Sequence, residues 1–221
     1  MPYSIAIDGP AGAGKSTIAK AVARELGYIY IDTGAMYRAV GLFCLENAIP
    51  LEDAEAVSKI MHDIDIAISY NEDGAQQVLL NGSNVSSQIR TQAVGDAAST
   101  VSQYPAVREK MVLLQQNLAK HTSVVMDGRD IASKVLPDAD TKIYLTASVE
   151  ERARRRALEL REKGEACDLR EVEEEIRARD DRDMHRQHSP LVRVPEAVLV
   201  DSSTLTLDET IDRILDICMK H

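Results

Sequence analysis

Residues Gly9 to Ser16, Gly-Pro-Ala-Gly-Ala-Gly-Lys-Ser, fit the spacing G-x-x-x-x-G-K-[ST]. Such a run binds polyphosphate. Its glycines let successive backbone N–H groups face anionic oxygens, and a helix beginning at Lys15 adds partial positive charge. Lys15 can reach the β- and γ-phosphate oxygens of a nucleotide, and the Ser16 hydroxyl can ligate Mg2+. Gly9, Pro10, Ala11, Gly12, Ala13, Gly14, Lys15, Ser16 and Thr17 are therefore expected to bind ATP or GTP. A second group of residues suits another anion. Arg38, Arg129, Arg179, Arg182 and Arg186 follow strand ends or lie on a charge-dense helix. On that helix Arg179, Arg182, Asp183 and Arg186 stand at i, i+3, i+4 and i+7 and share a face. A solvated stripe of ion pairs would account for the helix alone. With Arg38 and Asp127-Gly-Arg129-Asp130 at the same sheet edge, a second anionic ligand is the better explanation. Phosphoryl transfer between two polyanions needs this layout, because arginines neutralise the acceptor phosphate and the charge on the moving group. An acceptor phosphate is already a nucleophile and needs no general base. No Ser-His-Asp or Cys-His constellation is present.

The elements that must position these residues alternate. Ser4–Ile7 is a short apolar run before the glycine loop, and Lys15–Leu26 reads as a helix. Tyr28–Ile31 repeats the design, with Asp32-Thr-Gly and a helix through Leu45. Ser123–Met126, Lys142–Thr146 and Ala197–Val200 complete a set of short strands, each ending in Asp, Ser or Gly turns. Short β-branched runs between helical patterns predict a parallel sheet of βαβ units, with ligands at the C-terminal strand ends. Two segments break the rhythm. From Asp63 to Ser87, alternation around Asp73-Gly74 and Asn81-Gly82 predicts antiparallel hairpins. From Glu150 to His188 there are 11 Lys/Arg and 13 Asp/Glu in 39 residues. Ser148-x-x-Glu151 and Asp168-x-x-Glu171 open two helices there, with Gly164 ending the first; Thr206-x-x-Glu209 opens a last one with Ile211, Ile214, Leu215 and Cys218 on its apolar face.

Composition removes several classes. The 221 residues carry a net charge of −10, which disfavours nucleic-acid binding. Seven Tyr, one Phe and no Trp offer no base-stacking platform. No apolar run approaches the roughly 20 residues of a membrane span. Cys44, Cys167 and Cys218 are odd in number, widely spaced and without Cys-x-x-Cys, as reduced cytoplasmic thiols would be. The N-terminal Met-Pro-Tyr-Ser has no basic or apolar leader character, so secretion is not expected. His185-x-x-His188 lacks acidic or thiol companions for a metal. A GTPase is disfavoured because no D-x-x-G or N/T-K-x-D follows the glycine loop. Met126-Asp127 imitates the strand-end acid of motor ATPases and alone decides nothing.

Taken together, IDGPAGAGKST (Ile7–Thr17), DTGAMYR (Asp32–Arg38), IRTQAVGDAAS (Ile89–Ser99), DGRD (Asp127–Asp130) and RDDRDMHR (Arg179–Arg186) resemble the bacterial cytidylate kinase family. The glycine loop is generic; the other motifs in this order are specific. The resemblance implies an α/β P-loop NTPase fold with a five-stranded parallel sheet flanked by helices. It implies one domain over residues 1–221, with a small antiparallel β insert for the monophosphate at 63–90 and a helical lid at 150–170. The implied reaction moves the γ-phosphate of ATP to CMP or dCMP with Mg2+ held at Ser16, giving ADP and CDP or dCDP. Arg38, Arg129 and Arg186 are then assigned to the acceptor phosphate, Arg179 and Asp183 to the ribose, and Ser99, Arg108 and Asp130 to the cytosine edge. Thr33 stands where the family often has Ser and keeps the hydroxyl. Lys15, Arg129, Arg182 and Arg186 form the expected catalytic set, and Arg154 or Arg156 of the lid caps the donor phosphates. Cytosine donates from N4 and accepts at N3 and O2, which suits a carboxylate beside an arginine and a hydroxyl. Uracil puts a carbonyl against Asp130, a mismatch of roughly 1–3 kcal/mol. Tyr37 packs under the base or in the core. A monomeric cytoplasmic enzyme is expected, with ATP and CMP or dCMP as its partners and neither nucleic acid nor membrane. The alternatives are UMP as acceptor, or a nucleotide-binding regulatory module without transfer.

Overall fold

The computed structural model describes residues 2–162 and 164–220; Met1, Lys163 (in the expected lid) and His221 lie outside the described residues. In chain order the elements are β1 (Ser4–Asp8), α1 (Lys15–Leu26), β2 (Ile29–Asp32), α2 (Thr33–Glu46), α3 (Ala54–Ile60), β3 (Ile66–Tyr70), β4 (Gln76–Leu80), β5 (Ser83–Asn84), α4 (Gln92–Val101), α5 (Pro105–Ala119), β6 (Val124–Gly128), β7 (Thr141–Thr146), α6 (Val149–Glu162), α7 (Leu169–His185), β8 (Val198–Asp201) and α8 (Leu207–Cys218). A π-helical turn, Ile131–Val135, follows β6. They fall into two units, Met1–Tyr30 with His121–His221, and Ile31–Lys120.

In the first unit the parallel sheet runs β2-β6-β1-β7-β8. β1 is central, with Ile7 opposite Asp127 on one side and Ile143 on the other. Ile5, Ala6 and Ile7 have no exposed surface, which is why this strand reads as an unbroken apolar run. After β1 the chain passes to β2 at one edge, returns to place β6 between them, and then crosses to β7 on the other side, so the end of β1 lies at the switch in strand order where ligands bind. Ile18 and Val22 of α1 and Ile214 of α8 join Val125, Ile143 and Leu145 in one apolar cluster. Helices α6 and α7 close on each other through Ala153, Val172 and Ile176. Gly164, at φ 79°, ends the first of them, as its left-handed backbone lets the Glu165 N–H return to the Leu160 carbonyl at 2.9 Å. Among the described residues no helix is long and apolar enough to cross a membrane.

The second unit carries the antiparallel sheet β3-β4-β5, with Ile66 opposite Leu80 and Ile68 opposite Val78. Alternation delivers Ile66, Val78 and Leu80 to one core with Met36, Val40 and Met111. The hairpins share their core with α2, α4 and α5, and the unit extends from Ile31 to Lys120.

Candidate active site

The glycine loop leaves β1 under tight constraint. Gly9 has φ 157°, and a Cβ there would lie 1.9 Å from the Leu145 carbonyl oxygen of β7. No side chain fits. Gly14 caps α1 at φ 82°, so the first helical N–H groups open toward the loop. Lys15 is 6% exposed, and its Nζ donates to the Pro10 carbonyl at 2.7 Å. Burial, reinforced by the Arg129 guanidinium, holds its ammonium well below the usual lysine range. The charge is therefore held where a polyphosphate would stabilise it most.

Asp127, at the end of β6, is positioned from two sides. Its Oδ2 accepts from Ser16 Oγ at 2.9 Å and its Oδ1 from the Tyr30 hydroxyl at 2.8 Å. A hydroxyl and a carboxylate at a phosphate loop fit Mg2+, which takes one or two protein oxygens and completes its shell from water and phosphates. Among the described residues no group of three or more His, Cys, Asp or Glu could hold a metal alone, His185 and His188 included.

The DGRD turn brings charges together. Arg129 Nε donates to Asp183 Oδ2 at 2.7 Å, while Arg186 lies 3.7 Å from Asp183 Oδ1 and 4.0 Å from Asp130 Oδ1. Burial opposes the Arg129 charge, but Asp183 outweighs it and the guanidinium titrates above its ordinary range. Burial likewise works against the Asp183 charge, and Arg129 overcomes it, holding that carboxyl below the usual range. The positive field of Arg179 acts on both Lys15 and Asp183. The single helical face anticipated for these residues is corrected in two places. Arg186 is not helical: it caps α7 with extended backbone (φ −62°, ψ 143°), its Nε bound to the Ser189 carbonyl at 2.6 Å. Arg182 is exposed, whereas Asp183 is buried.

In the second unit Asp32 caps α2 by accepting from the Ala35 N–H at 2.9 Å and seats Thr33, which is 3% exposed. Gln76 of β4 grips the Asp32 backbone, its Oε1 accepting from the Asp32 N–H at 2.8 Å, and Arg90 pairs with the Asp32 carboxylate at 3.3 Å. Arg38 Nη1 donates to the Ile89 carbonyl at 3.5 Å. Ser99 and Arg108 meet through Ser102: its hydroxyl donates to the Ser99 carbonyl, and its own carbonyl accepts from Arg108, each at 3.0 Å. The Arg108 guanidinium stands 5.3 Å over the Tyr37 ring, and that ring packs on the unit's core.

In α6, part of the segment expected to be a lid, Arg154 pairs with Glu151 and Arg156 with Glu159. Three residues given no role from the sequence, Arg152, Asp180 and Arg155, lie against the loop. Arg152 Nη1 binds Asp180 at 2.6 Å and the Ala11 carbonyl at 2.8 Å, while Asp180 accepts from the Ala11 N–H at 3.2 Å. Arg155 donates to the Ser202 carbonyl at 2.7 Å, and its Nη1 would lie 3.9 Å from a Cβ on Gly14. A run of three arginines cannot reveal which one turns inward; only the packing of α6 decides that.

The family profile described as cytidylate kinase matches residues 5–220. The chain belongs to the cytidylate kinase family. The cytidylate kinase of Caldicellulosiruptor saccharolyticus is 50% identical over 217 residues, covering 98% of this chain and 96% of that one. The cytidylate kinase of Symbiobacterium thermophilum is 47% identical over 216 residues, with 98% and 96% covered. The fold is also that of an uncharacterized protein from Eubacterium ventriosum, at TM-score 0.55 and 12% identity over 99% of both chains. It is shared too by a gluconokinase from Sinorhizobium meliloti, at TM-score 0.50 and 15% identity, covering 99% of this chain and 93% of that one. Family membership makes the chain a nucleoside monophosphate kinase.

Proposed function

We propose that the chain transfers the γ-phosphoryl group of ATP directly to the phosphate of CMP or dCMP, giving ADP and CDP or dCDP. The observation that carries this reading is the buried cluster Arg129–Asp183–Arg186–Asp130, placed on the same unit as the phosphate loop. An oxygen of the acceptor phosphate attacks the γ-phosphorus in line as the bond to the β,γ-bridging oxygen breaks, and the electron pair leaves with ADP. No proton moves in this step. Lys15 exchanges the Pro10 carbonyl for β- and γ-phosphate oxygens. Arg129 and Arg186 hold the acceptor phosphate, Arg179 and Asp183 take the ribose, and Arg38 is assigned to the acceptor phosphate by the family's motif. Ser99, Arg108 and Asp130 read cytosine. Arg182, exposed near the end of α7, is assigned with Lys15, Arg129 and Arg186 to the charge on the moving phosphoryl group. Ser16, backed by Asp127 and Tyr30, would hold Mg2+, whose chemistry when bound is to neutralise the β- and γ-oxygens. The helical segment 150–170 serves as the lid that excludes water, with Arg155 joining Arg154 and Arg156 as donor-phosphate residues.

The test compares Asp130→Asn with Arg129→Ala by kcat/KM for CMP and UMP. The amide of Asn can donate to a uracil carbonyl, so Asp130→Asn should narrow the preference for CMP, chiefly by losing CMP. Arg129→Ala should weaken both by a similar factor. Equal losses of CMP and UMP in Asp130→Asn would remove Asp130 from base recognition.

A further inference from the structure

Asp8 is the last residue of β1, directly before Gly9, and is 2% exposed. Its Oδ1 accepts from the Ile131 N–H and its Oδ2 from the Ala132 N–H, both at 2.8 Å. These are the first two amides of the π-helical turn that follows Asp130, positions with no partner inside the turn. In the sheet Asp8 is also paired with Gly128. One residue therefore fixes both ends of the Arg129–Asp130 dipeptide, by its backbone at Gly128 and by its carboxylate at Ile131 and Ala132. The Asp130 carbonyl, accepting from Lys134 N–H at 2.9 Å, ties the dipeptide further into that turn.

We propose that Asp8 is a positioning residue for acceptor selection, aiming the Asp130 carboxylate at the acceptor base by clamping the backbone on either side of it. This rests on the reading of Asp130 as a base contact. The charge is held at a cost. Burial pushes the Asp8 carboxyl up to about 6, the Asp130 charge adds to the rise, and the two amides and Lys15 only partly oppose it. A neutral isostere would relieve that cost, so the clamp and the stability of the fold can be separated by experiment.

Asp8→Asn keeps the shape but leaves one amide facing an N–H donor in place of an acceptor. The expected result is a CMP-over-UMP ratio of kcat/KM reduced roughly 5–10-fold, because the base contact is misdirected. The equilibrium Kd for ATP without acceptor should not weaken, since the substitution removes a negative charge coupled to Lys15 and keeps the backbone donors of the loop. In an Asp130→Asn background, adding Asp8→Asn should not change the ratio further, as the two residues act in series. Equal losses for CMP and UMP in Asp8→Asn would overturn the proposal, as would an undiminished ratio effect in the Asp130→Asn background. An unchanged ratio in Asp130→Asn alone would sink the base reading and this proposal with it. A narrowed ratio there with none in Asp8→Asn would sink only the role of Asp8. Should Asp8→Asn not fold, Ala132→Pro removes one donor from the far side of the clamp and must show the same narrowed ratio.

Discussion

Lys15 sits buried, bonded to a carbonyl of its own loop, and its charge is poorly supported until phosphate arrives. Lys15→Ala should therefore lower single-turnover transfer by about 10²–10³-fold, the usual loss for one preorganised donor to developing charge. The unfolding midpoint should not fall, because a costly buried ammonium is removed with it. Asp8 supplies a pH signature of its own. Its carboxyl titrates near 6 in the folded chain and near the ordinary 3.8 when unfolded, so the folded state holds the proton more tightly. The stability this confers is complete below about 3.8 and lost as pH rises through about 6. Asp8→Asn removes the titration. Between pH 4 and pH 7 the variant should gain about 2–3 kcal/mol on the parent in urea unfolding, and a constant difference would contradict the assignment. At this scale the glycine loop was fully legible, since its spacing carries its own chemistry. Asp8 was not, because its two partners are backbone amides more than 120 residues away and leave no side-chain pattern.

At the scale of elements, hydrogen-bond competition decides what motif reading misses. Thr206 and Glu209 form a reciprocal capping box at α8. Ser148 and Glu151 complete only half of one. The Ser148 hydroxyl accepts from the Glu151 N–H at 3.2 Å, but the Glu151 carboxylate turns to Arg154 and Arg155, and Ser203 takes the Ser148 N–H. A charged donor outcompetes an amide for a carboxylate. The same helix sends Arg152 inward, and Arg152→Ala should cost about 3–5 kcal/mol in thermal or urea unfolding because it strands Asp180 in the interior. Arg154→Ala should leave the midpoint unchanged. Arg155→Ala should raise the KM for ATP more than Arg154→Ala or Arg156→Ala, given its place beside Gly14. Steady-state kinetics on the three variants would decide the order.

Across the whole molecule a net charge of −10 coexists with the arginine-rich cluster proposed to take the acceptor, because the end of β6 and the C-terminal half of α7 gather Arg129, Arg179 and Arg186 while acidic residues outnumber basic ones 36 to 26 over the chain. The residues proposed for the donor phosphates all lie in the unit Met1–Tyr30 with His121–His221, whereas Thr33, Arg38, Ser99 and Arg108, proposed for the acceptor, lie in Ile31–Lys120. Gln76→Ala and Arg38→Ala should therefore raise the KM for CMP and dCMP and leave the Kd for ATP unchanged. Titration calorimetry with each nucleotide would check this, and parallel weakening of ATP would contradict it. The parallel strands and the hairpins could be read from β-branched runs and Gly turns, whereas the order β2-β6-β1-β7-β8 could not, because short apolar runs carry no mark of their neighbours. The extent of the second unit could not, because alternation shows that Ile66, Val78 and Leu80 face a core without showing that the core belongs to Met36, Val40 and Met111.

The central claim is direct, acceptor-dependent transfer. The most direct test is ADP formation from MgATP with CMP, dCMP or UMP supplied in turn, with the product nucleotides resolved chromatographically. Direct transfer yields equal amounts of ADP and CDP, or ADP and dCDP, with UMP used roughly 10–100-fold less well in kcat/KM. ATP binding with no increase in ADP when CMP or dCMP is added would contradict it.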